Sequence, residues 1–191
     1  MEKKKICFIC GNEYKIKEVN YFLKDLKNIE ITFQKIDLLE IQGIPEEIVI
    51  NKAKEAIKYS NIPILIEDDS FEMKCLGNLP GSYIKDFMKE IGCEGLYKIA
   101  KEFNDYETTI QATLGLMRNE NDEVKIFKGI DRGIITSPKG TTGFGFDFCF
   151  QSERYQMTYG EMTYEEKLNV SFRSKAFNEL KQFLISQPDY L

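Results

Sequence analysis

The sequence predicts an α/β protein in which a mixed central sheet is flanked by helices. Short apolar strands alternate with amphipathic helices in the first half, and two longer strand patterns follow each other in the middle. Hydrophobic residues make up 42% and charged residues 30%, which is the composition of a folded globular chain. A chain of this length buries roughly 70% of its unfolded surface. We therefore expect one domain over residues 1–191.

The first half of the chain reads as strand, helix, strand, helix, strand. The predicted strands cover residues 5–10, 29–36 and 62–66. Apolar residues recur at helical spacing between the first two strands, and Pro45 opens the second helix. The third strand is predicted to end abruptly in the acidic residues 67–69.

The second half begins with helical patterns and then changes to strands. Helices are predicted near 83–90 and 94–103, and a β-hairpin is predicted from strands at 108–117 and 124–136 around a polar turn at 119–122. Five of the 13 glycines fall within 129–145, where the backbone must bend sharply or approach something closely. A capping box at Thr163 begins one helix, and another ends near Leu184.

Charge and composition exclude several functional classes. The sequence has no histidine, which removes Ser-His-Asp and Cys-His nucleophile schemes and every zinc site that needs histidine. Its 26 basic and 31 acidic residues give a net charge of −5, which argues against general nucleic-acid binding. Acid–base chemistry must then come from carboxylates, lysines, tyrosines or metal-bound water.

The cysteine count and the apolar runs indicate a cytoplasmic location. Five scattered cysteines do not form a disulfide framework, and the Cys7-x-x-Cys10 pair is better explained as buried apolar residues than as a metal or redox site. No apolar run approaches the roughly 18 residues of a membrane span. The N-terminus has no secretory pattern, because Gly11 and Asn12 follow only five apolar residues.

A glycine turn follows the first strand and leads into a helix. Gly11 and Asn12 lie in this turn, and Lys15 lies in the first helical turn. Free backbone N–H groups and a lysine at a helix N-terminus suit a phosphate group. A purely structural turn shows the same pattern, so both interpretations remain open.

Two acidic groups follow strands of the same predicted sheet. Asp37 and Glu40 come after the second strand, and residues 67–69 come after the third. Because ligand sites in α/β sheets lie beyond the carboxyl ends of strands, the groups are expected to converge on one hard cation. Solvated surface loops are the alternative. Three successive carboxylates repel one another unless a cation or lysines neutralise them.

The glycine-rich segment contains two aromatic residues beside a carboxylate. The rings of Phe144 and Phe146 are predicted to sandwich a flat base while Asp147 accepts its N–H groups. The alternative is that both rings start a strand and fill core. Single lysines and arginines elsewhere are, taken one at a time, ordinary surface charges.

Taken together, these stretches resemble the inosine triphosphate pyrophosphatase family over nearly the whole chain. The matching pieces are 11–18 (Gly-Asn-x-x-Lys with Glu18), 35–43 (Lys-Ile-Asp-Leu-Leu-Glu-Ile-Gln-Gly), Lys52, 67–70 (Glu-Asp-Asp-Ser), 79–85 (Leu-Pro-Gly-Ser-Tyr-Ile-Lys), 140–147 (Gly-x-x-Gly-Phe-Gly-Phe-Asp) and 158–173 (Thr-Tyr-Gly-Glu-Met to Ser-Phe-Arg). Seven ordered matches are more specific than any one of them. The Tyr-Ile-Lys and Lys-Ile-Asp-Leu stretches resemble the eukaryotic branch of the family more closely.

The resemblance implies a homodimer whose subunits each form one pyrophosphatase domain, over residues 1–191, of two lobes with the active-site cleft between them. It implies hydrolysis of ITP, dITP and XTP to the monophosphate and pyrophosphate, assisted by Mg²⁺ with Mn²⁺ as a substitute. The implied roles are triphosphate binding by Gly11, Asn12, Lys15 and Lys52; metal binding by Glu40 and Asp68, with Asp68 catalytic; base and sugar contacts by Phe144, Gly145, Phe146, Asp147, Lys167, Ser171, Phe172 and Arg173; and further nucleotide contacts by Asp69 and Lys85.

Three positions depart from the family pattern. Asp69 stands where the family usually has Ser or Thr, and Ser70 where it often has Gly, so the division of labour among the three acids stays open. Phe172 stands where the pattern reads His, the residue that donates with the neighbouring Arg to the 6-keto oxygen of the base. A phenyl ring cannot donate, so we expect weaker or rebalanced base selectivity.

Two other functions are alternatives to the pyrophosphatase. The altered acids and the missing histidine also fit a purine-nucleotide-binding protein that has lost turnover. The cluster of carboxylates argues against it, because a pure binder gains nothing from acids beside phosphates. A kinase or GTPase lacks its Gly-x-x-x-x-Gly-Lys-Ser/Thr motif.

Overall fold

The computed structural model describes residues 3–191, so the first two residues of the predicted domain lie outside it. The strands are β1 (Lys4–Ile9), β2 (Ile29–Gln34), β3 (Ile64–Met73), β4 (Pro80–Gly81), β5 (Glu107–Met117), β6 (Lys125–Ile135) and β7 (Phe150–Ser152). The α-helices are α1 (Glu13–Phe22), α2 (Pro45–Ala56), α3 (Ile84–Glu90), α4 (Gly92–Phe103), α5 (Tyr164–Val170) and α6 (Phe172–Ser186), and 3-10 turns occupy Ile57–Tyr59, Lys74–Leu76 and Gly145–Phe148.

Within residues 3–191, seven strands form one mixed sheet, which confirms the predicted fold class. Its order is β2-β1-β3-β5-β6-β7, and β4 pairs with β3 off this path. β1 is parallel to both β2 and β3, whereas β4 and β7 run antiparallel to β3 and β6. The parallel strands are the ones joined by helices, as the alternating first half of the sequence requires.

The chain divides into two compact units. The first contains the residues up to Asp68 together with 112–129 and 174–191, and the second contains 69–111 and 130–173. In the first unit, Val49 and Ala53 of α2 pack in one apolar cluster with Ile64 and Ile66 of β3. These four residues are buried, so one face of β3 is covered by α2.

The core of the second unit is rich in aromatic rings. Phe71 and Phe146 lie with ring centroids 5.0 Å apart, and Phe150 and Tyr159 lie 5.3 Å apart. Phe172 contacts both groups, since its ring is 5.8 Å from Phe146 and 6.3 Å from Tyr159. Together the five rings fill the region around the glycine-rich segment.

The structure corrects two sequence-based expectations. β3 does not end at 66 but continues to Met73, so the three acids lie inside a strand and not in a loop after it. The cause is apolar residues beyond the acids, because Phe71 and Met73 are fully buried and extend the strand. Phe144 and Phe146 do not start a strand either, since residues 145–148 form a 3-10 turn.

None of the helices described within residues 3–191 is both long enough and apolar enough to cross a membrane.

Replacing Ile64 with alanine is expected to lower the free energy of unfolding by about 2–5 kcal/mol, because it leaves a cavity under α2. Urea unfolding followed by circular dichroism measures the change. Ile185→Ala is the matched control, since Ile185 is 55% exposed and its truncation should cost less than about 0.5 kcal/mol. Equal losses for the two variants would contradict the assigned core.

Candidate active site

The glycine turn after β1 presents the N-terminus of α1. The Asn12 side-chain oxygen accepts from the backbone N–H groups of Tyr14 at 2.9 Å and Lys15 at 3.4 Å, so Asn12 is the N-cap. Gly11 is exposed, and a Cβ there would lie 3.3 Å from the aliphatic stem of Lys35. The predicted phosphate turn therefore has the expected form of an accessible glycine before a capped helix with Lys15 in its first turn.

Parallel pairing brings the end of β1 and the acidic part of β3 to the same edge of the first unit. Phe8 of β1 pairs with Leu65 of β3 in parallel register. The segment after Phe8 and the segment after Leu65 therefore leave the paired region at the same edge. Lys15 contacts Glu67 across this edge, with Nζ 3.3 Å from Oε1. The Glu67 side chain is only 1% exposed and that of Lys15 is 15% exposed. Glu67 thus holds Lys15 at the helix N-terminus, a role that the sequence did not assign.

Strand alternation separates Glu67 from Asp68. Asp68 has the same parity as Ile64 and Ile66, which pack against α2, so its side chain lies on the α2 face. Glu67 lies on the opposite face and contacts Lys15 of α1. Glu67 and Asp68 therefore contact different lysines, Lys15 and Lys52, on opposite faces of β3.

Glu40 and Asp68 converge on Lys52. The Lys52 ammonium donates to Glu40 Oε1 at 3.0 Å and to Asp68 Oδ1 at 3.1 Å. Lys52 and Asp68 are mostly buried, at 13% and 12% side-chain exposure, whereas Glu40 is half exposed. We call these three residues the Lys52 cluster. Asp37, the other acid of its segment, is exposed.

The Lys52 cluster contains two carboxylates, which are the type of protein ligand that a hard divalent cation prefers. Its two carboxylates already place one oxygen each within 3.1 Å of the same positive charge. Within residues 3–191 there is no group of three or more acidic or cysteine side chains placed to hold a metal. Mg²⁺ suits such a site, because it keeps several waters and takes one or two carboxylates plus substrate phosphates.

The second unit holds a buried pair of opposite charges beside Phe144. Lys167 Nζ lies 2.5 Å from Asp147 Oδ2, and the two side chains are 1% and 4% exposed. The Phe144 backbone N–H donates to the same carboxylate oxygen at 2.8 Å. The cations of Lys167 and Arg173 lie 4.7 Å and 5.2 Å from the centroid of the Phe144 ring. We call these four residues the Phe144 cluster.

Glycines in the loop before Phe144 permit this arrangement. A Cβ at Gly143 would lie 2.2 Å from Asp147 Oδ2, and one at Gly140 would lie 1.9 Å from the Gly160 carbonyl oxygen. Both glycines also have positive φ angles, of 90° and 78°. The predicted sharp bend and close approach are therefore present. Any side chain at Gly143 would displace the carboxylate that anchors Lys167.

Phe146 is a core residue and does not face an open base site with Phe144. It is 8% exposed and packs between Phe71 and Phe172. Phe144 is only partly buried and contacts the two cations instead. The core alternative thus describes Phe146, and the proposed sandwich of two rings does not match its packing.

A buried tyrosine orients the start of α6. Ser171 is extended and separates α5 from α6, and the Phe172 N–H at the first turn donates to the Tyr159 hydroxyl oxygen at 3.3 Å. Tyr159 in turn donates to Asp131 at 2.5 Å. Burial and the negative charge of Asp131 raise the pKa of the Tyr159 phenol, which stays protonated as the donor. Sequence reasoning missed both residues, although a carboxylate at an inward position of β6 was a signal.

The remaining predicted residues lie partly inside and partly outside these clusters. Arg173 is 1% exposed and lies 3.9 Å from Asp69 Oδ2, so the third acid of β3 also faces a cation. Ser171 is buried at the end of α5. Gly145 is exposed with a φ of 59°, and Lys85 is exposed on α3.

Residues 6–183 match the model of the Ham1 family. The inosine triphosphate pyrophosphatase of Yarrowia lipolytica is 38% identical, with 96% of this chain and 97% of that protein covered. The protein of the same name from Scheffersomyces stipitis is 35% identical, with coverage of 95% and 98%. The structure of a HAM1 protein from Coxiella burnetii superposes with a TM-score of 0.87 at 26% identity, covering 96% of this chain and 99% of the other.

Replacing Lys167 with methionine is expected to cost about 3–5 kcal/mol of unfolding free energy, because Asp147 would keep a buried charge with no ammonium beside it. The Lys167→Met/Asp147→Asn double variant should lose less than the two single losses together. Urea unfolding of all three variants measures this coupling.

Lys181→Met is the matched control. Lys181 pairs with Asp25 at 2.6 Å, but the Asp25 side chain is 62% exposed, so the loss should stay within about 1 kcal/mol. Additive losses at Lys167 and Asp147 would show that the two groups do not act as a pair.

Proposed function

Because this chain belongs to the Ham1 family, we propose that its Lys52 cluster and Phe144 cluster act on the phosphates and the base of a non-canonical purine nucleoside triphosphate. The chain is a hydrolase of such nucleotides. ITP, dITP and XTP are the proposed substrates, and the proposed products are the monophosphate and pyrophosphate. Water would attack the α-phosphorus, with pyrophosphate as the leaving group.

The contact of one ammonium with two carboxylates carries the proposal. Two carboxylates and one ammonium give the Lys52 cluster a net charge of minus one, which repels a triphosphate. Glu40 and Asp68 would hold a divalent cation, which would reverse that sign and supply Lewis-acid charge to the phosphates. Mg²⁺ is the proposed ion, with Mn²⁺ as a substitute.

Residues of the first unit are proposed to activate the water and to stabilise the negative charge on the phosphates. Asp68 is proposed to orient the attacking water and accept its proton, since its partly buried carboxylate faces the same point as Glu40 and Lys52. Lys52 and Lys15 would then stabilise negative charge on the phosphates and on the leaving pyrophosphate. Glu67 is a positioning residue that keeps Lys15 at the helix N-terminus.

The residues of the second unit are proposed to bind the base and sugar. The Phe144 ring offers a partly exposed flat surface, and the cations of Lys167 and Arg173 lie beside it. Arg173 and backbone N–H groups would donate to the 6-keto oxygen of hypoxanthine or xanthine. Asp147 fixes Lys167 and the Phe144 backbone, so its role is to position both.

The domain extent, the oligomeric state and the cellular location are proposed together with the function. Residues 1–191 would act as one pyrophosphatase domain, and two copies would form a homodimer, both on the strength of the family resemblance. A cytoplasmic location is supported by five cysteines that are all free thiols.

Asp68→Asn is expected to lower pyrophosphate release from ITP with Mg²⁺ by about 100- to 10,000-fold, because the amide cannot accept the water proton. Chromatographic detection of both monophosphate and pyrophosphate identifies the bond that is cut. Asp25→Asn is the control and should keep full activity, since Asp25 pairs with Lys181. Undiminished release in Asp68→Asn, or release of orthophosphate alone, would contradict the mechanism.

Phe172 is 2% exposed, but the family pattern has a histidine donor to the 6-keto oxygen at this position. Phe172→His is therefore expected to raise the preference for ITP over ATP by roughly 5- to 150-fold. The kcat/KM ratios for ITP, XTP, GTP and ATP measure this effect independently of the amount of folded protein. Phe172→Leu is the control, since it also removes the ring contacts of the wild-type residue but adds no donor. Ratios identical in all three proteins would remove Phe172 from base selection.

A further inference from the structure

Two cysteines with no role in the proposed reaction meet at the turn that carries Phe146 and Asp147. Cys93 lies in the first turn of α4, and its thiol lies 3.5 Å from the Gly145 carbonyl oxygen. Cys149 follows the 3-10 turn, and its thiol lies 3.6 Å from the Phe146 carbonyl oxygen. The two thiols therefore contact the carbonyl oxygens of consecutive residues of one turn. One thiol from α4 and one from the residue after the 3-10 turn thus both contact the turn at residues 145–148.

The two thiols differ in access and acidity. Cys93 is partly exposed, whereas Cys149 is fully buried. The hydrogen bond from Cys149 lowers the pKa of the Cys93 thiol below its ordinary value, although burial opposes the shift. The same hydrogen bond, together with burial, raises the pKa of Cys149. Cys93 therefore has the access and the thiolate character of the attacking group. Cys149 can act only as the resolving partner inside the protein, and its raised pKa makes the second exchange the slower step.

We propose that Cys93 and Cys149 form a reversible disulfide when the protein meets a low-molecular-weight disulfide such as oxidised glutathione, and that this bond restrains the turn at residues 145–148. The site itself does not depend on the proposed function. Its effect on substrate does rest on that function, because the turn contains Asp147, which anchors Lys167 and Phe144.

The reaction is a pair of thiol–disulfide exchanges. The Cys93 thiolate, after losing its proton to solvent, attacks one sulfur of oxidised glutathione, which breaks the glutathione S–S bond and releases one glutathione thiolate. The Cys149 thiol then loses its proton and attacks Cys93 Sγ, which breaks the mixed disulfide and releases the second glutathione. The two protein thiols are oxidised by two electrons, and one glutathione disulfide is reduced to two thiols.

Covalent bonding changes the geometry of the turn. The two sulfurs, which contact neighbouring carbonyl oxygens, must approach to about 2 Å to form the bond. Cys149 is two residues from Asp147, whose carboxylate oxygen lies 2.5 Å from Lys167 Nζ. Displacement at Cys149 is therefore transmitted to a buried ion pair that has no free space to absorb it. Base binding should weaken in the oxidised protein and recover on reduction.

The test treats the full chain with oxidised glutathione and maps its peptides by mass spectrometry before and after dithiothreitol. A Cys93–Cys149 peptide pair lighter by two hydrogens, lost on reduction, is expected. The kcat/KM for ITP should fall by about tenfold or more on oxidation, as for a small misplacement of binding groups. Cys93→Ser should keep the reduced activity and show neither change, and Cys149→Ala should stop at a glutathione adduct on Cys93. Cys75→Ser, a second partly exposed cysteine, should behave as wild type.

Each other outcome counts against a stated part of the proposal. No linked peptide, or a glutathione adduct on Cys93 alone in the wild type, would overturn the disulfide site. A linked peptide with unchanged kcat/KM would overturn its effect on the turn. Failure of the reduced protein to release pyrophosphate from ITP would reject the proposed function instead, while peptide mapping would still decide whether the disulfide forms.

Discussion

The alternation of side chains along β3 is the constraint from which the catalytic arrangement follows. Three consecutive carboxylates would repel one another in a loop, but in a strand they are directed alternately to opposite faces. Glu67 meets Lys15, Asp68 meets Lys52 and Asp69 faces Arg173. Asp68 shares Lys52 with a second carboxylate, that of Glu40. That sharing leaves the Lys52 cluster with one more negative than positive charge, which is the basis for proposing a metal ion there.

The two units place their charges in different surroundings. The Lys52 cluster keeps some contact with water, through a Glu40 side chain that is half exposed. Because Glu40 is exposed, it can exchange its contact with Lys52 for a hydrated cation at modest cost, as the proposed site for phosphates and metal requires. The Lys167–Asp147 pair is almost wholly buried and is fixed further by the Phe144 backbone. Such a pair is stable only in one geometry, so it suits a rigid surface that discriminates between bases.

Local patterns predicted the fold, whereas pairings between distant residues needed the structure. Strand and helix periods, Pro45 and the Thr163 capping box identified elements close to those observed. β3 was predicted too short, because charge was weighed above the buried Phe71 that continues the strand. Hydrophobicity alone could not decide between core and base contact for Phe146 either. The bond from Tyr159 to Asp131 joins two strand-rich segments 28 residues apart, and no periodicity reports such a contact.

The tight approach of backbone to backbone at Gly140 also limits how this protein can diversify. Its absent Cβ leaves room only for the Gly160 carbonyl oxygen, so substitution, insertion or deletion there disrupts the whole loop. Sequence changes and inserted peptides are therefore expected to be tolerated at other positions of the chain. The polar hairpin end at 119–122 is mostly exposed, and its hydrogen bonds join residues of the turn to one another and to the adjacent Arg118. A reporter peptide inserted there would leave the ligand-facing scaffold untouched, which makes that loop the natural handle for labelling or immobilising the molecule.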